Sequence, residues 1–346
     1  MLFFLFLLYY TIFLDMIQNK MKKYHIITYG CQMNESDSER LATKIEKKRY
    51  KATEKIKVAD LIVMNVCSVR QSAIDRVYSK IENIKSINPK AKIALTGCIL
   101  EKDRIKFKGQ VDHIWPILEF EIKPKSKSLK CASLPIMTGC NNFCSYCAVP
   151  YTRGREKSRA KKEILKEVKK LVNKGYIEII LLGQNVNSYK FNFAKLLKEI
   201  SEIQGNFKIK FMTSHPKDMS DQLIKTIAEN KKISREIHLP IQSGDNTILK
   251  KMNRKYTVGH YKKLIKKIYK AIPKAIISTD IIVGFPGETK KQFENTVRLV
   301  KEINFKQIYT ARYSPRLGTE AAKLIDDIPA NEKIRRKRVI LDLIKK

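Results

Sequence analysis

The sequence predicts an α/β protein of two domains, each built on parallel strands. The chain has 346 residues, which suits two domains, and 43% of them are hydrophobic, which is enough for sizeable cores. Short apolar strand segments alternate with helical segments along the chain. Glu119–Lys130 is polar and contains Pro124, as in a linker. We therefore predict a first domain over 21–118, a linker over 119–132, a second domain over 133–328 and a terminal basic helix over 329–346.

Residues 1–20 are predicted to be an apolar extension that precedes the first domain. Met1–Leu14 carries no charge but is shorter than the roughly 20 residues that span a bilayer. It also lacks the basic start and the small residues of a signal peptide. We interpret Met21 as the start of the protein, in which case residues 1–20 are not translated. A membrane-associated tail is the alternative.

The first domain is predicted to begin with a strand over Tyr24–Thr28 and a helix from about Ser36, with Ser36 as its N-cap. Further strands are predicted over Leu61–Asn65, Ile93–Thr96 and Val111–Ile114.

Three cysteines follow closely on the first three of these strands: Cys31, Cys67 and Cys98. Alone, each would be interpreted as a buried structural cysteine. The carboxyl ends of parallel strands share one edge of a sheet, where ligands bind. Their common placement therefore predicts a site at which three cysteines bind an iron–sulfur cluster and leave one of its irons without a protein ligand.

The second domain is predicted to be a partial barrel of six βα units. The predicted strands are Ser133–Met137, Ile177–Leu182, Lys208–Met212, Glu236–Leu239, Ile276–Val283 and Gln307–Ala311. Ser158–Lys174 has one apolar stripe and is followed by Gly175, which predicts a helix and its C-terminal cap. Six units are too few for an eight-stranded barrel. A basic helix is predicted from Asn331 to Lys346.

The segment GCNNFCSYC places Cys140, Cys144 and Cys147 on one loop directly after the first barrel strand. Three thiolates at this spacing can bind three corners of a 4Fe-4S cluster and leave the fourth iron open. Structural zinc would need four ligands. The chain has seven cysteines, an odd number that does not suggest disulfides, so we expect reduced thiols in a cytoplasmic protein. The remaining cysteine, Cys131, is predicted to have no role in either site.

The charge balance predicts an anionic partner. Lys and Arg number 70 against 34 Asp and Glu, a net charge of +36, which favours nucleic acid. Biased codon usage is an alternative cause. Within Tyr151–Lys162, Arg153, Arg155 and Arg159 are candidate contacts to an RNA backbone. A solvated helix start is the alternative.

The CxxxCxxC spacing after a barrel strand, with Tyr146 before the third cysteine, resembles the radical S-adenosylmethionine (SAM) superfamily. The resemblance implies that the open iron chelates the amino and carboxylate groups of SAM and that Tyr146 lies at the cofactor. One electron would then cleave SAM to a 5′-deoxyadenosyl radical.

Flanking motifs resemble the methylthiotransferases over nearly the whole chain from Met21. The motifs are TYGCQMN, NVCSVR and TGC around the first three cysteines, then LLGQNVNSY, TSHP, HLPIQSG and IIVGFPGE. The resemblance implies that Cys31, Cys67 and Cys98 hold an auxiliary 4Fe-4S cluster. The later motifs resemble the bacterial branch that acts on N(6)-isopentenyladenosine beside the tRNA anticodon. The resemblance then implies a reaction in which sulfur is inserted at adenine carbon 2 and methylated. This reaction would use two SAM molecules per product.

Further cofactor contacts are suggested at strand ends. Gly183, Gln184 and Asn185 follow the second barrel strand, and the resemblance places them near the SAM amino group. Ser243 is suited to the SAM ribose or carboxylate, and Gly284 would let backbone approach the adenine. A tight turn is the alternative at Gly284.

The resemblance implies that the substrate is tRNA carrying isopentenyladenosine and that an electron donor and a sulfur source are needed. We expect a monomer without a stable membrane partner. The family's C-terminal RNA-binding β-barrel is expected to be absent. The alternatives are a different tRNA nucleoside, a ribosomal protein side chain, or a non-catalytic iron–sulfur RNA-binding protein.

Overall fold

The structure is a computed structural model that describes residues 21–67, 71–117, 120 and 130–344. The predicted extension 1–20 and most of the predicted linker lie outside these residues, so the domain boundaries stay predictions. No helix within the described ranges is long and apolar enough to cross a membrane.

The first domain is a five-stranded parallel sheet in the order β2-β1-β3-β4-β5. Its strands are β1 (Lys22–Thr28), β2 (Tyr50–Ala52), β3 (Leu61–Cys67), β4 (Lys92–Cys98) and β5 (His113–Ile114). Its helices are α1 (Gln32–Glu46), α2 (Gln71–Ile87) and α3 (Glu101–Phe107). Because β3 is buried along almost its whole length, both faces of the sheet are covered, as expected of a parallel sheet.

Two details of this domain differ from the sequence prediction. Helix α1 begins at Gln32, directly after Cys31, and the predicted cap Ser36 is buried inside the helix. The predicted helix start at Ser36 was therefore wrong, because the chain turns at Gly30 and enters the helix at once. Strand β2 was not predicted, since three residues that include an exposed Lys51 carry almost no hydrophobic pattern.

The second domain contains the six predicted parallel strands in two three-stranded groups, β6-β9-β10 and β11-β12-β13. A parallel bridge between Ile209 and Ile233 connects the two groups at β10. The strands are β6 (Cys131–Pro135), β9 (Glu178–Leu182), β10 (Lys208–Phe211), β11 (Glu236–His238), β12 (Ile276–Val283) and β13 (Gln307–Arg312). The partial barrel predicted from the sequence is confirmed.

Most helices of this domain pack on this row of strands and bury their apolar faces in one large core. They are α4 (Val149–Thr152), α5 (Lys161–Asn173), α6 (Phe193–Ser201), α7 (Asp221–Glu229), α8 (Asn246–Lys251), α9 (Val258–Ala271), α10 (Lys290–Glu302) and α11 (Ala330–Asp342). A short antiparallel hairpin of β7 (Met137–Thr138) and β8 (Lys157–Ser158) was not predicted. This hairpin closes the segment that carries Cys140, Cys144 and Cys147.

The two domains are packed against each other. Met33 of α1 lies in a small apolar cluster with Ile180 and Leu182 of β9. In a second contact between the domains, Arg316, which follows β13, donates to Asp103 of α3 at 2.6 Å and to Gln71 of α2 at 2.5 Å. The Arg316 and Asp103 side chains are 2% and 9% exposed, so this ion pair is buried at the domain interface.

Candidate functional site

Cys31, Cys67 and Cys98 lie together at the carboxyl edge of the first sheet. Cys67 and Cys98 are register partners at the ends of β3 and β4. The Sγ atoms of Cys31 and Cys98 lie 3.7 and 3.9 Å from the same atom, Oδ1 of Asn34. The structure thus brings these three predicted residues together, although their separation in sequence gives no spacing signal.

Asn34 fixes this arrangement from the first turn of α1. Its Nδ2 donates to the carbonyls of Tyr29 and Val66, at 2.9 and 3.0 Å. Asn65 donates back to the Asn34 carbonyl at 2.7 Å. Gly30 has φ +120°, and a Cβ there would lie 2.7 Å from Cys67 Cβ, so only glycine lets the β1–α1 turn pass so close. Both asparagines belong to the motifs TYGCQMN and NVCSVR, but their residue type alone did not predict this role.

Arg153 reaches this site from the second domain. Its Nε lies 2.9 Å from Cys98 Sγ, and one Nη2 donates to Asn34 at 3.0 Å and to Asp37 at 2.7 Å. The side chain is 2% exposed. The prediction that Arg153 contacts RNA is therefore corrected, because its Nε and Nη2 donate within the protein and its side chain is shielded from solvent.

Cys140, Cys144 and Cys147 lie on a loop that its neighbours hold rigidly. Ser145 between them donates from its backbone N–H to Met252 O at 3.0 Å and from its hydroxyl to Lys251 O at 2.8 Å. Asn253 donates to the carbonyl of Phe143 at 2.8 Å. The segment after α8 thus holds the loop in place.

Arg254 contacts this second set of cysteines, and the sequence analysis did not identify it. Its Nη1 lies 3.4 Å from Cys144 Sγ, while Nη2 donates to Pro240 O at 2.7 Å and Nε to Tyr256 Oη at 2.7 Å. Arg254 follows helix α8 without a recognisable motif. An arginine in a basic chain of this composition gives no signal that marks it as a site residue.

The thiols within each set influence one another. Burial, and then the nearby Cys144, raises the pKa of Cys147 to about 12. Burial raises the pKa of Cys98 to about 11, an effect that Arg153 opposes and that Cys67 and Cys31 increase. Each thiol therefore lies within the electrostatic field of the others in its set, in keeping with the contacts of Cys31 and Cys98 to Asn34.

The donor chemistry fits iron–sulfur clusters better than a single ion. In the part of the chain that the structure describes, no group of three or more His, Cys, Asp or Glu side chains is arranged to hold one metal ion. A 4Fe-4S cluster has a different requirement, because each thiolate binds a separate iron at a corner of the cube. Two sets of three thiols, each with a guanidinium on one sulfur, match that requirement.

Among the residues that the structure describes, several buried oxygens without a hydrogen-bond partner lie at the carboxyl ends of the barrel strands. They are Gln184 Oε1 and Asn185 Oδ1 after β9, Ser214 Oγ after β10 and Gln242 Oε1 after β11. Buried polar atoms are nearly always hydrogen-bonded, so a row of unsatisfied acceptors indicates a polar ligand. Gln184 and Asn185 were predicted. Ser214 and Gln242 lie in the quoted motifs TSHP and HLPIQSG, but they were missed as single residues because their residue types alone do not indicate which motif positions face a ligand.

The other predicted cofactor residues lie around the same strand ends. Tyr146 packs beside an apolar cluster that contains Phe285 and Tyr313, and burial raises its pKa. Ser243 is fully buried, and its hydroxyl accepts from the Asp245 N–H at 3.2 Å. A Cβ at Gly183 would lie 2.5 Å from Met137 Cγ, so close packing alone requires glycine there.

Gly284 has φ +68°, and a Cβ there would lie 2.5 Å from Lys333 Cγ. Its N–H donates to the buried Glu288 at 2.7 Å, and Glu288 pairs with Arg336 of α11. These contacts account for the glycine as a tight strand-to-helix turn, the alternative interpretation of GFPGE.

The predicted basic tract does not form one RNA-contact surface. Arg159 donates to Glu167 at 2.6 Å and to Pro135 O at 2.8 Å, and its side chain is 9% exposed. Arg155 is exposed, with its guanidinium 4.1 Å from the centre of the Phe143 ring. Arg155 is thus the one of the three predicted arginines that solvent and RNA can reach.

Comparison with known families gives two matches that divide the chain as the structure does. The family described as "Radical SAM superfamily" matches residues 134–300. The family described as "Uncharacterized protein family UPF0004" matches residues 23–116. Each match contains one of the two three-cysteine sets.

Curated relatives match nearly the whole chain. A protein of Clostridium botulinum (strain Langeland) named tRNA-2-methylthio-N(6)-dimethylallyladenosine synthase is 44% identical over 94% of this chain and 82% of its own length. A protein with the same name from Thermoanaerobacter pseudethanolicus is 44% identical over 92% of this chain and 78% of its own length.

Solved structures share the fold at low identity. The radical SAM methyltransferase TsrM from Kitasatospora setae superimposes with a TM-score of 0.63 at 12% identity, over 87% of this chain and 75% of that one. The cobalamin-dependent radical SAM enzyme OxsB gives a TM-score of 0.54 at 12% identity, over 94% of this chain and 57% of that one.

Proposed function

Because this chain belongs to the family of tRNA-2-methylthio-N(6)-dimethylallyladenosine synthases, we propose that it inserts sulfur and a methyl group at carbon 2 of N(6)-isopentenyladenosine beside the anticodon of tRNA. It is a transferase of the radical SAM type that uses 4Fe-4S clusters and SAM. The observation that carries the proposal is the 44% identity over 94% of the chain, which includes both three-cysteine sets.

We propose that Cys140, Cys144 and Cys147 hold the cluster that binds SAM, and that Cys31, Cys67 and Cys98 hold an auxiliary cluster. When the first cluster and SAM are bound, the chemistry available there is one-electron cleavage of SAM for hydrogen abstraction. The chain's own contribution is to hold the thiols with a rigid loop and with a guanidinium on Cys144.

The row of unpartnered oxygens is the proposed contact surface for SAM. Gln184, Asn185 and Gln242 present acceptors at neighbouring strand ends, where an ammonium group or ribose hydroxyls could donate to them. Ser243 and Tyr146 lie at the same end of the barrel. We retain Gly183 and Gly284 only as backbone positions that allow close packing there.

Recognition of tRNA is supported by the net charge of +36 and by exposed basic residues near the loop cysteines. Arg155, stacked on Phe143, is the proposed backbone contact among the predicted arginines. Replacement of Arg155 by alanine should weaken tRNA binding and reduce the slope of log K against log salt by about 1, which filter binding at several salt concentrations would measure.

The remaining partners follow from the reaction. The reaction needs an electron donor that reduces the cluster at which SAM binds, and a source of the inserted sulfur. We place the reaction in the cytoplasm, where tRNA is modified. We propose that a monomer suffices, because one chain provides both three-cysteine sets.

The test is mass spectrometry of tRNA nucleosides from a host that lacks its own methylthiotransferase and expresses this chain from Met21. We expect 2-methylthio-N(6)-isopentenyladenosine. If the purified chain holds two clusters and cleaves SAM but this nucleoside is absent, the proposed substrate is wrong. If the chain does not cleave SAM at all, it is a non-catalytic binding protein.

A further inference from the structure

Arg153 belongs to the SAM side of the molecule by sequence. It follows Cys147 by way of the single-turn helix α4, and its backbone N–H donates to Val149 O at 2.8 Å, which ends that helix. The contacts described for its guanidinium lie in the other domain, at Cys98, Asn34 and Asp37. A short covalent path therefore connects the loop cysteines to a side chain that touches Cys98.

The contacts of this guanidinium are directional and buried. Nε points to Cys98 Sγ at 2.9 Å while Nη2 binds Asp37 at 2.7 Å and Asn34 at 3.0 Å. The planar fork of arginine can serve several such acceptors at once, which a lysine ammonium at one point cannot do. Asn34 in turn lies against the sulfurs of both Cys31 and Cys98.

The local charges indicate an anion at Cys98. Asp37 pairs with Arg40 as well as with Arg153, so the described network has two guanidinium groups for one carboxylate. All three side chains are at least 93% buried. Unbalanced buried charge is costly, and a thiolate bound to an anionic cluster would balance the extra positive charge.

We infer that Arg153 is a positioning residue of the auxiliary site, which holds Cys98 and Asn34 and thereby fixes the auxiliary cluster relative to the SAM cluster. The inference rests on the proposed function, since it takes Cys31, Cys67 and Cys98 as the ligands of that cluster. Outer partners of metal ligands set ligand orientation and the reduction potential of the metal group. A cationic donor on a cluster sulfur favours the reduced, more negative form.

The test compares Arg153→Met, Arg153→Lys and wild type in the full chain after anaerobic reconstitution. Iron per chain, the midpoint potential of each cluster by EPR-monitored titration, SAM cleavage and methylthio product are measured together. In Arg153→Met we expect either loss of up to half of the iron or a more negative auxiliary potential. Product should fall at least tenfold and by more than SAM cleavage falls.

Arg153→Lys keeps the inference testable if Arg153→Met fails to fold, because lysine keeps the positive charge beside Asp37. This variant should stay folded. The midpoint potential of its auxiliary cluster should be more negative than in the wild type, and the methylthio product should still fall by more than SAM cleavage falls. Arg316→Lys is the matched control: it alters another buried arginine at the domain interface that contacts no cysteine. Its iron content and both potentials should equal those of the wild type.

Three results would overturn the inference. Unchanged potentials, iron and product-to-cleavage ratio in both Arg153 variants would show that the contact with Cys98 has no role. Equal changes in Arg316→Lys would show that domain docking alone is responsible. In these two cases the proposed function stands if the wild type holds two clusters and makes product. A wild type with only one cluster would overturn the inference and the proposed ligand assignment together.

Discussion

The two three-cysteine sites differ in how the chain builds them. Cys140, Cys144 and Cys147 come from one loop within the barrel domain, and the arginine on Cys144 comes from the same domain. Cys31, Cys67 and Cys98 come from three strand ends, and the arginine on Cys98 comes from the opposite domain. The first site is complete within one domain, whereas the second needs both.

The electrostatic surroundings differ in the same way. Arg153 is paired with the carboxylate of Asp37, which it shares with Arg40, whereas the side-chain and backbone partners described for Arg254 are a tyrosine hydroxyl, a carbonyl and a thiol. The full charge of Arg254 therefore acts on Cys144 and on its neighbours. The comparison predicts that the loop site depends on an arginine of its own domain and that the strand-end site depends on an arginine of the other domain.

The largest expected effect separates the two sites by function. Cys144→Ala should abolish SAM cleavage, because the loop site then has only two thiolates for its cluster. Cys67→Ala should leave measurable SAM cleavage but stop formation of the methylthio nucleoside. Assays of 5′-deoxyadenosine and of modified tRNA on the same reconstituted samples would distinguish these outcomes.

Cys131→Ala provides the control for both variants. Cys131 lies on β6 near Glu178 and is predicted to bind no cluster. It should keep the iron content and both activities of the wild type. If Cys67→Ala and Cys144→Ala lose SAM cleavage equally while still folded, the division between the sites is wrong.

The next effect concerns docking of the domains. Arg316→Met leaves the buried Asp103 carboxylate without its ion-pair partner, which typically costs about 3–5 kcal/mol of stability. Anaerobic urea unfolding of wild type and variant would measure this loss. An Arg316→Met/Asp103→Leu double variant should recover much of it, because neither charge then remains buried. A single variant as stable as the wild type would mean that this contact does not hold the domains together.

A smaller effect is expected at Arg254. Arg254→Met removes the donor to Cys144 and one of the two donors to the Pro240 carbonyl, which keeps the hydrogen bond from Tyr256 Oη at 3.1 Å. Such changes next to metal ligands commonly reduce activity about 10- to 100-fold. Single-turnover SAM cleavage at matched iron content would measure the loss. Arg254→Lys should recover part of it. If Arg153→Met lowers SAM cleavage as strongly, the two arginines do not serve separate sites.

The sequence was sufficient where signals are local. The spacing of Cys140, Cys144 and Cys147 predicts their site directly, and all six barrel strands were predicted close to their observed limits. The set at Cys31, Cys67 and Cys98 could be predicted because strand ends in a parallel sheet share an edge. That argument depends on topology and does not need the residue spacing.

The arginines could not be assigned from the sequence because their roles depend on contacts between distant segments. Arg153 and Arg155 are two residues apart in a basic tract, yet one is buried against Cys98 and the other is exposed on Phe143. Arg254 reaches Cys144 across 110 positions of sequence. Charge patterning predicts a solvated face for such residues, so it cannot identify those that are buried.

The smallest effect concerns His215, whose imidazole is buried in the electrostatic field of Arg254. Burial, and then Arg254 and Lys217, lower the pKa of His215 to about 2. The unfolded chain therefore binds a proton below about pH 6.5 that the folded chain does not bind, so stability is lost as the pH falls through that value. Between pH 7.5 and 5.5 this loss should amount to about 1 kcal/mol.

His215→Asn should remove this part of the acid sensitivity while keeping an acceptor for the Lys217 N–H, which the ring Nδ1 accepts at 3.3 Å. The measurement is the unfolding free energy of both proteins at pH 7.5, 6.5 and 5.5. The difference at pH 7.5, where the wild-type imidazole is largely neutral in both states, gives the packing cost alone. If the two proteins then lose stability in parallel towards pH 5.5, His215 is protonated in the folded chain. Burial and the nearby charges of Arg254 and Lys217 would in that case not keep the folded imidazole neutral, and this mark of the Arg254 surroundings would be absent.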